Sequence, residues 1–560
     1  MVQSTLSLAR TVQGLEPRPS DREIEEVLFA YSKAEAKRFE GDDLSIEVTP
    51  DRLDLLSEGG LRQHLEGLLD RRQDLPALAV HAGIAPHLRI RVDRSVERKR
   101  PAIAAVQLEA PPGGALDSGL LTEAVRFQEL LHATIGSDRR SASLGIYPVE
   151  RITGPIEYTF APVAAIRFTP LEGDRPRSGP EFFAEHPYAQ QYGALGREVE
   201  ETLVLRDARG TILSLPPILN SREAGEARVG DRTLLLESTG TRAARVEDAL
   251  GLLELPFVAA GWSAAPVAVE FPDRADTGER FVRPRRMELG VEHVRRVTGL
   301  PLSSEEVSGL LRRARLGPSS SGSGWEVAVP PWRPDLISGD DLVEEVALAR
   351  GVRVEEARLP VSSTRGRRLA QRGLREAMRD RLLGLGYVPL FSTVLSSEST
   401  VELLGHDALR LANPVSLELS RVRSALQIPL LTALRHNIRF AYPQRFSEVG
   451  PVVLKDPKAE SGAATHVRAG WVIAAEGAGF ADAAATLDYL LRREQLLAVR
   501  EPAELPGTIP GRAARVRLAG EAIGEIGEIH PAVLDELGIP VPAAWAEIDL
   551  TALQPLLRGP

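Results

Sequence analysis

Cysteine is absent from the 560 residues. That removes disulfides, thiol nucleophiles and Cys-based zinc sites together. The ten histidines are scattered, with no His-x-x-x-His pair. There is no Gly-Lys-Ser/Thr loop, which argues against a P-loop nucleotidase. No apolar run approaches the ~20 residues of a membrane span. The first ten residues lack the apolar stretch of a signal peptide, so a soluble, cytoplasmic protein is expected. Lysine is scarce and arginine carries nearly all the positive charge. The net charge of −10 argues against coating nucleic acid by bulk charge, although local basic grooves remain compatible with it. A hydrophobic content of 43% is ordinary for globular protein. At roughly 150 residues per domain, the length suggests about four domains.

Four blocks are expected, at 1–98, 99–275, 283–358 and 359–560. The first ends in the charge run Glu97-Arg98-Lys99-Arg100-Pro101. The second opens with a strand at 102–108. A helix follows, on which Leu120, Ala124, Phe127 and Leu131 share one face. The third contains Gly317-Pro318-Ser319-Ser320-Ser321-Gly322-Ser323-Gly324, whose composition reads as a flexible loop. The fourth begins with a helix whose apolar face is Leu374, Met378, Leu382 and Leu385. It closes with β patterning, in which Ala514-Arg515-Val516-Arg517-Leu518 alternates and Ala519-Gly520-Glu521 turns. No repeat of solenoid length and no heptad run is present. The fold class is α+β and multidomain.

Three clusters carry chemistry. In 330–346, a Pro-rich entry leads into a helix starting near Asp340. Asp341, Glu344 and Glu345 share a helical face, and Asp335 lies just ahead of it. Carboxylates this close suit a hard cation, or simply an acidic first turn that complements the helix dipole. Next, Leu213-Ser214-Leu215-Pro216-Pro217-Ile218-Leu219-Asn220-Ser221 is a strand entering a rigid turn. Leu234-Leu235-Leu236-Glu237-Ser238-Thr239-Gly240-Thr241 is a strand ending in one carboxylate and several hydroxyls. Such an end lines a polar pocket or caps an ordinary strand. Lastly, Arg421-Val422-Arg423 and the run from Gly524 to Pro531 show no catalytic spacing, and His530 before Pro531 reads as a turn residue. The last block has no convincing Phe-Arg-x-Glu type ATP-binding motif.

Taken in order, these pieces resemble one family. The stretch Thr49-Pro50-Asp51-Arg52-Leu53-Asp54-Leu55-Leu56-Ser57-Glu58-Gly59 is similar to the N-terminal signature of phenylalanyl-tRNA synthetase beta subunits of the archaeal and eukaryotic type. Leu144-Gly145-Ile146-Tyr147, the Leu-Pro-Pro-Ile-Leu-Asn-Ser turn and Glu237-Ser238-Thr239-Gly240-Thr241 resemble its editing module. Residues 333–349 resemble its magnesium-associated module. Asn413-Pro414, Arg421-Val422-Arg423, Phe446-Ser447-Glu448-Val449-Gly450, Gly511-Arg512 and the Gly-Glu-Ile-Gly-Glu-Ile-His-Pro run resemble its C-terminal synthetase-like domain. The resemblance spans about 45–550, and its motifs are weak singly but specific in this order. The first ~20 residues match nothing in it, and Arg242 departs from the acid that relatives often carry after Thr-Gly-Thr.

The resemblance implies an inactive class II synthetase-like antiparallel-sheet domain at the C-terminus, with no catalytic residue for aminoacylation in this chain. It implies an alpha subunit that holds that site, assembly of two alpha and two beta chains, and tRNA(Phe) as the bound nucleic acid. The activity implied is ATP-dependent attachment of phenylalanine to tRNA(Phe) by the assembly, with hydrolysis of mischarged tyrosyl-tRNA(Phe) by this chain. Leu205, Ser214, Glu237 and Thr239 are the implied editing pocket. Asp335, Asp341, Glu344 and Glu345 are the implied Mg²⁺ ligands. Two alternatives stand beside this: a non-catalytic subunit that holds tRNA with editing lost, and a free-standing deacylase.

Overall fold

The computed structural model of the chain describes residues 1–76, 88–278, 283–351 and 362–557. It divides into two compact units, Met1–Arg358 and Leu359–Pro560. The junction of the third and fourth expected blocks falls in 352–361, outside the described residues.

The first unit begins with a three-stranded sheet in which Val2–Ser7 and Ala34–Glu40 flank Asp43–Val48. The opening residues that matched no motif thus supply an edge strand. Next, Leu53–Leu56 forms a 3-10 turn and Glu58–Leu68 a helix, with the Ser57 hydroxyl accepting from the Gly60 N–H at 2.9 Å. A Cβ at Gly60 would lie 2.0 Å from the Asp54 carbonyl, so this turn requires glycine.

Two sheets then face one another. The inner sheet has four antiparallel strands in the order Ser263–Pro266, Ala102–Glu109, Thr233–Gly240, Ala142–Pro148. Side chains alternate between its faces. Val106, Leu108, Ile146, Leu234 and Leu236 pack against the helices Ser118–Ala133 and Ala243–Ala259. Ile103, Ala105, Tyr147 and Leu235 point the other way, onto Tyr158, Leu203, Leu205 and Leu213 of the second sheet. That sheet includes Ile156–Pro162, Glu201–Arg206 and Ile212–Leu215. It also takes in Arg89–Val92, which pairs in parallel with Ile156–Pro162. Residues placed in the first block by the charge run at 97–101 therefore belong to this sheet, because strand pairing overrides local composition.

The stretch 317–324, expected as a flexible loop, is the hairpin Gly317–Ser321 with Gly324–Val329, turned at Gly322 with φ +56°. The alternating Trp325, Val327 and Val329 bury one face, and the serines occupy the solvated partner strand. The helix Gly339–Arg350 closes this part.

In the second unit, a seven-stranded sheet is ordered Val388–Pro389, Gln444–Lys455, Ala463–Ala474, Ala543–Asp549, Glu521–Ile529, Thr508–Leu518, Val499–Pro502, antiparallel except at its first pair. The helices Ala370–Gly384, Phe480–Arg493 and Leu550–Leu557 cover one face. Gln427–His436 and Pro531–Leu537 cover the other. Leu374, Met378 and Leu382 face inward as the helical spacing predicts, and Ala519 and Gly520, both at positive φ, make the expected turn. His530 caps Pro531–Leu537, its Nδ1 accepting from the Ala532 N–H. Among the described residues no helix is long and apolar enough to cross a membrane.

Candidate functional site

Strand register brings together the four residues expected to form the editing pocket. Leu205 and Ser214 are cross-strand partners. Glu237 and Thr239 share the parity of Leu235, so both point into the cleft between the sheets. All four are buried. The Thr239 hydroxyl lies 3.0 Å from that of Ser143 on the neighbouring strand.

Two further residues complete the site. The Tyr147 phenol lies 3.0 Å from Glu237 Oε1 and 2.9 Å from Ser214 Oγ, with its side chain fully buried. Glu237 Oε2 is buried and has no partner among the described residues. Burial lifts the Glu237 carboxyl to about 7, against the hydrogen bond from Tyr147 and the charge of Arg100. Burial, and then the charge of Glu237, push the Tyr147 phenol well above its ordinary range. The second addition is Arg100, 1% exposed, which donates to the Thr239 carbonyl at 2.6 Å, the Ser143 hydroxyl at 3.1 Å and the Arg139 carbonyl at 3.0 Å. Composition placed Arg100 in a linker, whereas it braces the end of the Glu237 strand. Nothing local to the sequence signals that role. Tyr147 was legible as part of a motif but not as a partner of Glu237.

At the edge of the cleft, Arg139 donates to the carbonyls of Pro217 and Ile218. Its guanidinium lies 4.7 Å over the Tyr192 ring and 5.6 Å over that of Tyr188, and the two rings stack. Arg242 is exposed at the start of the helix Ala243–Ala259 and makes no capping bond.

The four expected Mg²⁺ ligands do not converge. Asp335 takes a two-pronged contact from Arg333, at 2.9 Å from Nε and 2.7 Å from Nη2. Glu345 accepts from the same guanidinium at 2.7 Å, and Arg52 Nη1 lies 3.5 Å away. Arg52 in turn grips Asp54 through two bonds of 2.9 Å. This network joins the N-terminal signature to the acidic helix. Burial acts to raise the Glu345 carboxyl, but Arg333 and Arg52 outweigh it and hold it at about 2. Asp341 instead caps its own helix, accepting from the Ser338 and Ile337 N–H groups at 2.6 and 2.8 Å. Glu344 pairs with Lys33 at 2.7 Å. Among the described residues no group of three or more His, Cys, Asp or Glu side chains is placed to hold a metal ion. As folded, Asp335 and Glu345 do not fit Mg²⁺, because guanidinium groups already neutralise them.

Comparison with known proteins agrees with this architecture. The family described as "tRNA synthetase B5 domain" matches residues 287–352, and "Phenylalanyl tRNA synthetase beta chain CLM domain" matches 356–550. The phenylalanine--tRNA ligase beta subunit of Methanospirillum hungatei is 30% identical over 528 residues, covering 93% of each chain. That of Korarchaeum cryptofilum is 29% identical over 537 residues, covering 95% of each. A solved N-terminal fragment of the phenylalanyl-tRNA synthetase beta subunit from Pyrococcus horikoshii superposes with a TM-score of 0.56 at 24% identity. It covers 62% of this chain and 99% of that one, and shows the same fold. The chain belongs to the family of phenylalanine--tRNA ligase beta subunits.

Proposed function

We propose that this chain works with an alpha subunit to attach phenylalanine to tRNA(Phe), and that its inter-sheet site hydrolyses tyrosyl-tRNA(Phe). An apolar pocket rejects an isostere bearing one extra hydroxyl by only about a hundredfold, so a second sieve that rewards the hydroxyl is useful. The observation that carries the reading is a buried carboxylate already bonded to a phenol: Glu237 and Ser214 hold that of Tyr147. Phenylalanine would leave such acceptors unpaired. In the reaction, water attacks the ester carbonyl carbon, the bond to the ribose oxygen breaks, and that oxygen leaves with a proton. The chain has no Cys, and among the described residues no Ser–His pair lies at the site, which favours water as the nucleophile. The half-buried stack of Tyr188 and Tyr192 under Arg139 supports contact with the single-stranded tRNA end, since aromatic faces stack bases irrespective of sequence.

The assignment of adenylate chemistry to the partner also has support. In the second unit's sheet, Arg423 is buried against Glu448 at 2.8 Å, and Arg468 is paired with Glu547. Both cations are thus neutralised internally rather than presented to a nucleotide phosphate. The partner's docking surface is supported by Phe391, Val415 and Leu417, large apolar side chains that stand exposed in that unit. The test is co-expression with an alpha chain. The pair should form a heterotetramer that charges tRNA(Phe) and hydrolyses tyrosyl-tRNA(Phe) faster than phenylalanyl-tRNA(Phe). Pyrophosphate exchange by the single chain would contradict the division of labour.

A second reading, a tRNA-holding subunit with editing lost, is favoured by the same contact seen from the other side: Tyr147 fills the place a substrate phenol would take.

A further inference from the structure

The seat of Tyr147 is built rather than incidental. Its phenol curls back along its own strand to the level of Gly145, the residue in register with Glu237. A Cβ at Gly145 would lie 2.2 Å from the phenol oxygen and 2.6 Å from two ring carbons. Glycine at 145 therefore opens the space the ring occupies. The ring ends on the two polar side chains, from opposite sheets, that the hydrolytic reading needs for a substrate.

From this, and resting on the editing reading above, we infer that Tyr147 is an internal tyrosine surrogate that gates the pocket: a substrate's phenol reaches Glu237 and Ser214 only by displacing it. Tyr147 touches the specificity residues, so it controls access to them while water, ester and ribose react as described. A phenylalanine side chain has no hydroxyl with which to replace the bonds that Tyr147 gives up. Displacement by tyrosine exchanges one phenol for another, whereas displacement by phenylalanine leaves two buried polar groups unpaired. The cost of displacing Tyr147 is common to both esters, so the gate slows both, and the discrimination between them stays with Glu237 and Ser214.

The experiment compares wild type, Tyr147→Phe and Tyr147→Ala, each assembled with the alpha chain, on preformed tyrosyl- and phenylalanyl-tRNA(Phe). Tyr147→Phe keeps the ring and loses the anchoring hydroxyl. It should hydrolyse both esters faster, by about tenfold for the loss of the hydroxyl's restraint, at an unchanged Tyr-over-Phe ratio. A rate equal to or below wild type overturns the gate and makes Tyr147 a fixed support of Glu237. Binding is read independently of hydrolysis. In Tyr147→Ala the emptied seat should take p-cresol but not toluene, seen as a rise in unfolding temperature that wild type lacks. If p-cresol binds and no form hydrolyses either ester, Tyr147 is upheld as the occupant and the hydrolytic reading beneath it fails. If p-cresol and toluene behave alike, the phenol seat itself is refuted.

Discussion

Replacing Arg333 by methionine is the sharpest probe of the buried network. The substitution keeps an apolar stem of similar reach and removes the guanidinium that Asp335 and Glu345 share. Glu345 is 3% exposed, and its carboxyl sits at about 2 instead of its ordinary 4.5. At about 1.4 kcal/mol per tenfold change in proton affinity, that depression is worth about 3 kcal/mol. It agrees with the ~3–5 kcal/mol lost when one member of a buried pair is removed. The sign follows from a folded-state value below the unfolded one. The contribution is fully present above about pH 4.5 and is lost as pH falls toward about 2. Hydrogen exchange of the helix Gly339–Arg350 reads the local opening free energy without assuming that a multidomain chain unfolds in one step. Exchange in Arg333→Met should accelerate roughly a hundredfold at pH 7, and the gap from wild type should narrow below pH 4.5. A change under about fivefold, or one independent of pH, would refute the argument that this pairing holds the N-terminal signature to the acidic helix.

Other expectations follow from single features. Glu254 is fully buried, neither carboxylate oxygen has a partner among the described residues, and burial drives its carboxyl far up. Its penalty therefore grows as pH rises above the unfolded carboxylate range, so Glu254→Met should stabilise the chain by about 1–3 kcal/mol at pH 8 and by less at pH 5, measured by urea titration. Because guanidinium groups and a helix cap engage three of the four expected Mg²⁺ ligands, EDTA should leave the unfolding temperature of the chain unchanged. A saturable Mg²⁺ stabilisation that vanishes in Asp335→Asn would contradict this. Phe391→Asp should weaken association with the alpha chain by more than tenfold in sedimentation, without changing the unfolding temperature of the chain alone.

The strand that carries Glu237 and Thr239 was legible in its pattern, whereas the choice of Leu205, Ser214, Glu237 and Thr239 as a pocket came from the family resemblance. The run Leu234-Leu235-Leu236-Glu237-Ser238-Thr239 is apolar until its end, and a strand's two-residue repeat puts Glu237 and Thr239 on one side. Helical spacing likewise predicted the inward Leu374, Met378 and Leu382. What stayed hidden depends on partners distant in the chain. Arg100 looks like one member of a solvated charge run until residues 139, 143 and 239 arrive around it. Asp335 and Glu345 look like a cation site because the sequence does not reveal that Arg333 folds between them or that Arg52 joins from far upstream. The serine-rich 317–324 has the composition of a loop, but its pairing strand makes it a hairpin. Tyr147 sits in an apolar strand before a proline, and only the register with Glu237 shows that its phenol has a polar destination.

In the proposed hydrolytic site, Glu237 reads the phenol of the substrate. The most direct test is hydrolysis of preformed tyrosyl- and phenylalanyl-tRNA(Phe) by the assembled enzyme carrying Glu237→Ala. Charging with phenylalanine should persist while the Tyr-over-Phe preference in hydrolysis collapses. A variant that matches wild type in both rate and preference would contradict it.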